Sequence, residues 1–421
     1  MAPHGVNPHG GNPHEGNPQG VNPHGGNRLA VARRLGCRPE QLLEASASLV
    51  PFGPPASVRR SLRRALAGAA IRDYPDREHQ ALRQAIAQRH GLEAAMVLPG
   101  NGAAELFTWA GRDAAQAGVS LLPVPGFADY QRALACWQGA WRPLALPLRW
   151  PGPFPQPFAA PIEADLADLD TAATSTAATA ASTAVNTAAT AANPAAATST
   201  AANPPAAVVW ITNPHNPTGQ LWSRESLEPL LERFAMVIVD EAFLPLVPGG
   251  EAQSMLPWVG RCPGLVVIRS LTKLAAIPGL RLGYALADPT RLARWAAWRD
   301  PWPVNGLAAA AGVALMADRA WDRRVQGWLA REGPWLAAEL ARLPGLVPMA
   351  SAANFLLVRG ERAGQPCSLD GLRLALEQRH RILVRDCRSF TGLGESWLRL
   401  AVLDRRGNRR LLGALAQELG G

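Results

Sequence analysis

The chain has 421 residues, of which 48% are hydrophobic and 18% are charged, and its formal net charge is +9. This length allows one large domain or two ordinary ones with a sizeable core. No apolar run is long enough to span a bilayer and no signal peptide opens the chain, so no membrane partner is expected. The arginines are spread over helix-like segments without a recognition motif, so no nucleic-acid partner is expected either.

The lysine and cysteine contents are both informative. Of 42 basic residues only Lys273 is a lysine, and only a primary amine condenses with an aldehyde, which singles this residue out unless it survived by chance. The scattered cysteines are odd in number and never form a CxxC pair, which predicts no disulfide framework, no zinc site and a reducing cytoplasm. They are Cys37, Cys136, Cys262, Cys367 and Cys387.

Two segments have low complexity. Residues 4–28 are five pentads, HGVNP, HGGNP, HEGNP, QGVNP and HGGNR, and their Pro and Gly content predicts disorder over residues 1–23. A metal-binding histidine tract is the alternative, but one His per five residues without rigidity disfavours it, and no metal is expected. The fifth pentad runs into a plausible helix. Residues 165–207, almost wholly Ala, Thr, Asn and Pro, are predicted to be an inserted surface loop.

The remaining chain alternates strand-like and helix-like segments. Short apolar runs ending in Gly, Pro or polar residues are separated by helical patterns such as HQALRQAIAQRHG and RESLEPLLERFA. This alternation predicts an α/β fold with a doubly wound, mostly parallel sheet that binds ligands beyond the carboxyl ends of its strands. The runs, in chain order, are AMVLPG, VSLLPVP, AAVVWITNP, MVIVDEAF, LVVIRSLTK and LGYALA.

The strand ends carry residues suited to an aldehyde cofactor with a phosphate and a pyridine ring. Lys273 follows LVVIRS and can reach a cleft to form a Schiff base, while Ser270 and Arg281 offer a hydroxyl and a guanidinium to a phosphate. Asp240 closes MVIVD, and a buried carboxylate there needs a cationic partner such as a protonated pyridine nitrogen.

Two turns complete the pattern. In TNPHNPTG the amide of Asn216 can bond a phenolic oxygen, and in GNGAAE the backbone amides of Gly102, Ala103 and Ala104 can hold a phosphate at a helix start. Each motif alone is often an ordinary turn or cap. Their order and spacing around the sole lysine indicate a pyridoxal-phosphate site.

These motifs resemble those of fold-type I pyridoxal-phosphate enzymes of the aspartate aminotransferase superfamily, over about residues 24–164 and 207–421. The resemblance implies that Lys273 is the Schiff-base lysine, that Asp240 pairs with the pyridine nitrogen, and that a smaller α+β domain accompanies the large one. The expected divisions are an N-terminal arm and part of the small domain at 24–72, the large domain at 73–305 and the rest of the small domain at 306–421.

The resemblance also assigns residues outside the strand-end motifs. It implies that Phe127 in PGFADY stacks on the cofactor ring and that Arg399 in WLRLAV binds the substrate carboxylate. It further implies that Tyr74 in YPD reaches the cofactor phosphate of a partner subunit, so a homodimer is expected.

Four finer features narrow the resemblance: HGGN near the N-terminus, DEAF, PWPVNGLA and ILVRDCRSFTGL. Together they resemble threonine-phosphate decarboxylases of cobalamin biosynthesis, relatives of histidinol-phosphate aminotransferases. The expected reaction is decarboxylation of L-threonine O-3-phosphate to (R)-1-amino-2-propanol O-2-phosphate, and an aminotransferase is the alternative. Substrate orientation separates the two reactions, since the Cα bond held perpendicular to the ring is the one that breaks.

Candidate substrate-binding residues are His24, Asn27, Asn305 and Arg385, in addition to Arg399. His24 and Asn27 belong to the last pentad, so the alternative is that they form one more disordered repeat. The segment expected as SANINPLG reads SASLVPFG here, which places Ser48 and Val50 where asparagines are expected. If either position contacts substrate, this change alters affinity or substrate choice.

Overall fold

The computed structural model describes residues 25–158 and 207–420. The first four pentads, His24 and residues 165–206 of the predicted insertion lie outside these ranges. The described strands are β1 Leu43–Ala45, β2 Val97–Asn101, β3 Val119–Val124, β4 Trp141–Ala145, β5 Ala207–Thr212, β6 Met236–Asp240, β7 Leu265–Ser270, β8 Leu282–Ala287, β9 Leu346–Pro348, β10 Phe355–Arg362, β11 Gln365–Pro366, β12 Ile382–Asp386 and β13 Trp397–Ala401.

Helices of very different length connect and cover these strands. They are α1 Arg28–Arg34, α2 Ala56–Ala67, α3 Gln80–His90, α4 Gly102–Ala117, α5 Asp129–Ala135, α6 Arg224–Leu227, α7 Leu230–Arg233, α8 Leu271–Leu274, α9 Pro289–Trp298, α10 Gly306–Met316, α11 Arg319–Leu340, α12 Asp370–Gln378 and α13 Arg405–Leu419.

The larger sheet has seven strands in the order β2-β8-β7-β6-β5-β3-β4. Its neighbours pair in parallel except at β8, which runs antiparallel to both β2 and β7. Every residue of β6 and β7 is buried, as the continuous apolar runs predict for strands covered on both faces. The predicted α/β fold with a mostly parallel sheet is confirmed.

Helices cover both faces of this sheet because strand side chains alternate in direction. Met236 and Ile238 of β6 pack in the cluster that contains α4, whereas Val237 and Val239 pack in the cluster that contains α3 and α10. Strand β8 follows β7 after only the short helix α8 and a turn. A parallel crossover needs a longer connection, so the antiparallel direction of β8 follows from the short link.

The smaller sheet has the order β1-β12-β13-β10-β11, with β9 also paired to β10. Strand β1 lies parallel to β12, with Leu43 opposite Ile382, while β12, β13, β10, β9 and β11 pair antiparallel. An N-terminal strand therefore completes a C-terminal sheet, in line with the predicted division of the small domain, whose residue boundaries stay predictions.

Two classes of feature are absent from the described ranges. No helix there is long and apolar enough to cross a membrane. No group of three or more His, Cys, Asp or Glu side chains among those residues is arranged to hold a metal ion.

Candidate active site

Lys273 lies in α8, directly after the end of β7. Its Nζ donates to Ser270 Oγ at 3.3 Å and lies 5.4 Å from the centroid of the Phe243 ring. Burial lowers the pKa of Lys273, Asp240 opposes this shift, and Arg281 and Arg399 add to it. The amine is therefore easier to deprotonate than an exposed lysine, which favours its use as a nucleophile.

Asp240 ends β6 and is 5% exposed. Its Oδ2 accepts from the Tyr130 hydroxyl at 2.7 Å, and its Oδ1 accepts from the Ala242 N–H at 2.9 Å. Burial raises the pKa of Asp240, while Lys273 and the two hydrogen bonds oppose that rise. A carboxylate held this way suits a cationic partner such as a protonated pyridine nitrogen.

Tyr130 and Thr212 are site residues that sequence reasoning missed. The Tyr130 hydroxyl lies 2.7 Å from Thr212 Oγ1 as well as from Asp240. Burial first and then Asp240 raise the pKa of Tyr130 well above its usual value, so the phenol stays protonated and can donate. The PGFADY motif contained the signal, because Tyr130, in the first turn of α5, is only three residues after Phe127.

The predicted phosphate cradle forms where β2 passes into α4. The first N–H groups of a helix point toward its N-terminal end, which here is formed by Gly102, Ala103 and Ala104. The Asn101 side chain makes no capping hydrogen bond to them. Gly102 has φ +75°, and a Cβ there would lie 2.4 Å from Arg281 Nη2. Arg281 therefore lies against the turn, and the positive φ of Gly102 is one that residues with a side chain rarely adopt.

Ser270 and Thr272 lie beside this cradle on the β7–α8 turn. Both side chains are buried, and their hydroxyl oxygens are 2.8 Å apart. Amides, hydroxyls and a guanidinium are the donors that phosphate binding uses. Together with the nearby Lys273 and Asp240, these donors fit pyridoxal phosphate.

Phe127 is partly buried and lies beside Tyr130, the residue that donates to Asp240. Its ring centroid lies 5.6 Å from that of Tyr130, with an interplanar angle of 85°, and 6.4 Å from that of Phe107. Phe127 is therefore an aromatic side chain next to Tyr130, which bonds the Asp240 carboxylate. Its stacking role stays a prediction.

Arg399 joins the small sheet to a loop of the large one. From β13, its Nη1 donates to Asn216 Oδ1 and its Nη2 donates to the Ser46 carbonyl at 3.3 Å. Burial and the neighbouring Arg385 lower the pKa of Arg399 to about 9, so the guanidinium is still cationic at neutral pH. Its Nε is buried without a hydrogen-bond partner in the described ranges, which leaves a donor available for an anion.

Arg385 lies opposite Arg399 in the β12–β13 ladder. Side chains opposite one another on neighbouring strands share a face of the sheet. Arg385 is buried, its Nη2 donates to Ser389 Oγ at 2.6 Å, and burial lowers the pKa of its guanidinium. Two buried arginines side by side form a strongly electropositive surface that suits a substrate with two anionic groups.

Tyr74 and Asn305 line a cavity of about 430 Å³. Tyr74 is 79% exposed and stacks on Trp302 with ring centroids 4.4 Å apart. The Asn305 amide is used by the main chain, because its Oδ1 caps α10 by accepting from the Ala308 N–H and its Nδ2 donates to the Leu280 carbonyl. Lys273 is not among the residues that line this cavity.

Asn27 also has a structural use. Its Oδ1 accepts from the Ala30 N–H at 3.3 Å and so caps α1. The preceding Gly26 donates to Ser46 Oγ, so the last pentad does run beside the partner of Arg399. His24 lies outside the described residues, and the substrate roles of both residues stay predictions.

Replacing Arg399 by lysine tests the carboxylate assignment. Lysine keeps the charge but loses the forked pair of donors, so we expect Arg399→Lys to lower kcat/KM by roughly 10- to 150-fold, the range for losing a charge-assisted hydrogen bond. Steady-state kinetics would measure this. Arg362→Lys, at the exposed end of β10, is the matched control, and an equal effect of the two substitutions would refute the assignment.

His215, in the TNPHNPTG turn, predicts a pH dependence of stability. It is 1% exposed, and burial lowers its pKa from 6.5 to about 3. Below pH 6.5 the unfolded chain therefore binds a proton that the folded chain does not, and the free energy of unfolding falls as pH falls toward 3. We expect this residue to lower the free energy of unfolding at pH 5 by about 2 kcal/mol relative to pH 7.5.

Urea denaturation of the wild type and of His215→Asn at both pH values measures this contribution. Asparagine does not titrate, so the variant should show a shallower loss of stability between pH 7.5 and pH 5 than the wild type. Equal pH slopes in the two proteins would mean that His215 is not held neutral by the fold.

The chain is similar to known proteins along most of its length. The family model for aminotransferase class I and II matches residues 42–415. The chain is 35% identical to the threonine-phosphate decarboxylase of Salmonella typhimurium over 405 residues, which cover 94% of this chain and 96% of that protein.

Two solved structures share the fold. The histidinol-phosphate aminotransferase of Sinorhizobium meliloti, in complex with pyridoxal-5'-phosphate, has a TM-score of 0.73 at 21% identity and covers 94% of this chain and 95% of its own. The L-threonine-O-3-phosphate decarboxylase of Porphyromonas gingivalis has a TM-score of 0.68 at 22% identity, covering 90% of this chain and 99% of its own. The chain belongs to the class I and II aminotransferase family.

Proposed function

We propose that this chain is a pyridoxal-phosphate-dependent decarboxylase that converts L-threonine O-3-phosphate to (R)-1-amino-2-propanol O-2-phosphate in cobalamin biosynthesis. The observation that carries the substrate class is the pair of neighbouring buried arginines, Arg385 and Arg399, beside the lysine site. One arginine would suit an ordinary amino acid, which has a single carboxylate. Two neighbouring arginines suit an amino acid that also has a phosphate. The similarity to the Salmonella typhimurium enzyme along nearly the whole chain supports decarboxylation as the reaction.

The cofactor assignments follow from the donors described above. Lys273 would hold pyridoxal phosphate by its amine and Asp240 would face the ring nitrogen. The amides of Gly102, Ala103 and Ala104, with Ser270 and Arg281, would hold the phosphate, while Asn216 and Phe127 would contact the phenolic oxygen and the ring face. When bound, the cofactor supplies an electron sink for the charge that develops at the substrate Cα.

The protein's own contribution is to orient the substrate. Arg399 would bind the carboxylate and Arg385 the phosphate, so that two fixed points set the rotation about the Cα bonds. Phe243, 5.4 Å from Lys273 Nζ by its ring centroid, adds an apolar wall without a hydroxyl. Lys273 Nζ, whose pKa burial lowers, would return a proton to Cα after carbon dioxide leaves.

A homodimer completes the proposal. Tyr74 is 79% exposed and Ile71 is 68% exposed, with Leu66 nearby in sequence at 53%. Tyr74 and Ile71 line the same surface cavity. Exposed apolar side chains that lie together are typical of a protein contact surface, and Tyr74 would reach the cofactor phosphate of the partner subunit from it. The free cysteines of the described ranges support a reducing cytoplasm as the site of action.

One assay tests the reaction. The enzyme with pyridoxal phosphate and L-threonine O-3-phosphate, without any keto acid, should release carbon dioxide and aminopropanol phosphate in equal amounts. The same protein with histidinol phosphate and a keto acid is the comparison. Amino transfer in the second mixture, with no carbon dioxide in the first, would overturn the proposal in favour of an aminotransferase.

A further inference from the structure

Ser46 is where the N-terminal arm, residues 25–34, meets the proposed substrate site. The Gly26 N–H donates to Ser46 Oγ at 2.9 Å. A Cβ on Gly25 would lie 2.5 Å from the Ser46 carbonyl oxygen, so the main chain of the arm rests directly on that group. The same carbonyl accepts from Arg399 Nη2 at 3.3 Å. One buried residue therefore contacts both the arm and the arginine.

Glu44 sets the direction of the Ser46 hydroxyl. Glu44 Oε1 accepts from the Ser46 N–H at 2.8 Å, from the Ala47 N–H at 3.2 Å and from the Ser46 hydroxyl. Because the hydroxyl proton points to Glu44, an oxygen lone pair is left to accept from Gly26. Without this carboxyl group the hydroxyl is free to rotate, and its lone pairs are no longer held toward the Gly26 N–H.

Glu44 is itself held on the small sheet. It lies in β1, opposite Leu383 of β12, and β12 pairs with the strand that carries Arg399. Its Oε2 is buried without a hydrogen-bond partner in the described ranges. A buried carboxyl oxygen without a hydrogen bond lowers the stability of the fold. The three hydrogen bonds that Oε1 accepts offset that cost.

We propose that Glu44 is a positioning residue that orients the Ser46 hydroxyl and thereby fastens the N-terminal arm onto the carbonyl that Arg399 binds. This inference rests on the proposed function, since it concerns residues expected to bind the substrate. The Gly25-Gly26 pair is what permits the contact. Gly25 has no space for a side chain, and Gly26 has φ +87°, which a residue with a side chain rarely adopts.

Hydrogen exchange of the cofactor-loaded protein without substrate tests the fastening itself. Glu44→Ala and Ser46→Ala should each speed amide exchange in the arm roughly 5- to 100-fold, as expected for loss of a hydrogen bond that holds a local element. Ser48→Ala is the matched control, because Ser48 is as buried as Ser46 but its Oγ has no partner in the described chain. It should leave arm exchange unchanged.

Kinetics with L-threonine O-3-phosphate tests the consequence for the substrate. Glu44→Ala and Ser46→Ala should each raise KM roughly 10-fold with a smaller change in kcat, because the arm and Arg399 act on binding. A merely structural role would lower the amount of folded enzyme and leave KM unchanged. Glu44→Gln, which keeps an oxygen acceptor, should recover part of the loss in both measurements.

The outcomes are distinct. Unchanged arm exchange in Glu44→Ala overturns the inference even where Ser46→Ala exchanges faster, and so does faster exchange with an unchanged KM. Where Glu44→Ala does not fold, Glu44→Gln takes its place and should exchange faster than the wild type but more slowly than Ser46→Ala. A wild-type protein that releases no carbon dioxide would refute the proposed function, yet the exchange measurement would still report whether Glu44 fastens the arm.

Discussion

Lys273→Ala is expected to lose the yellow absorbance of the lysine-bound cofactor together with activity, which should fall by about 10⁴-fold or more. The reason is chemical, since no other lysine exists in the chain and no other side chain can form the Schiff base. The amine also lies where burial lowers its pKa, so its loss removes both the nucleophile and a proton carrier. An absorbance spectrum and the carbon dioxide assay measure the two effects on one sample.

Lys273→Arg is the matched control for charge. Arginine keeps a cation near Asp240 but its guanidinium does not condense with an aldehyde, so this variant should lose the absorbance and the activity as fully as the alanine variant. Retention of the absorbance by either protein would contradict the assignment of Lys273.

Asp240→Asn is expected to lower kcat by roughly 10³-fold while the protein still folds. The substitution keeps size and shape but removes the charge that would face the ring nitrogen, and loss of a buried electrostatic partner of the reacting groups has effects of this order. A neutral amide is less costly to bury than the carboxylate, whose pKa burial raises, so stability should not fall in parallel with activity. Single-turnover kinetics and thermal unfolding of the loaded enzyme separate the two.

Tyr130→Phe is the milder companion of that variant. It removes one 2.7 Å hydrogen bond to Asp240 and leaves the charge, so we expect kcat to fall about 10-fold. Because this bond lowers the Asp240 pKa, its loss should raise that pKa and move the acidic limb of the pH–rate profile to higher pH.

Full activity in Asp240→Asn would show that the ring nitrogen has another partner.

The strand-end residues were predictable because apolar runs mark buried strands. Asp240, Ser270 and Lys273 each follow such a run, and parallel strands bring their carboxyl ends to one edge. The predicted fold, family and cofactor class are confirmed. The individual site roles stay predictions.

Other parts of the site depend on contacts between distant segments. The Tyr130–Asp240 bond and the Arg399–Asn216 bond join residues on different elements, and no local pattern specifies either distance. Asn27 and Asn305 show a second limit, since an asparagine that caps a helix and one that binds a ligand look alike in sequence. The antiparallel direction of β8, by contrast, follows from the short link after β7, whose length the sequence contains.

The pairing of β1 with β12 has a consequence for how the chain must fold. Leu43 and Ile382 become neighbours only after almost the entire polypeptide has left the ribosome. Until then β1 is a strand without its partner, and unpaired strands are sites of wrong association during synthesis. Closing so large a loop also slows folding. The small domain should therefore be the last part of the molecule to form, and expression at lower temperature should raise the yield of folded enzyme.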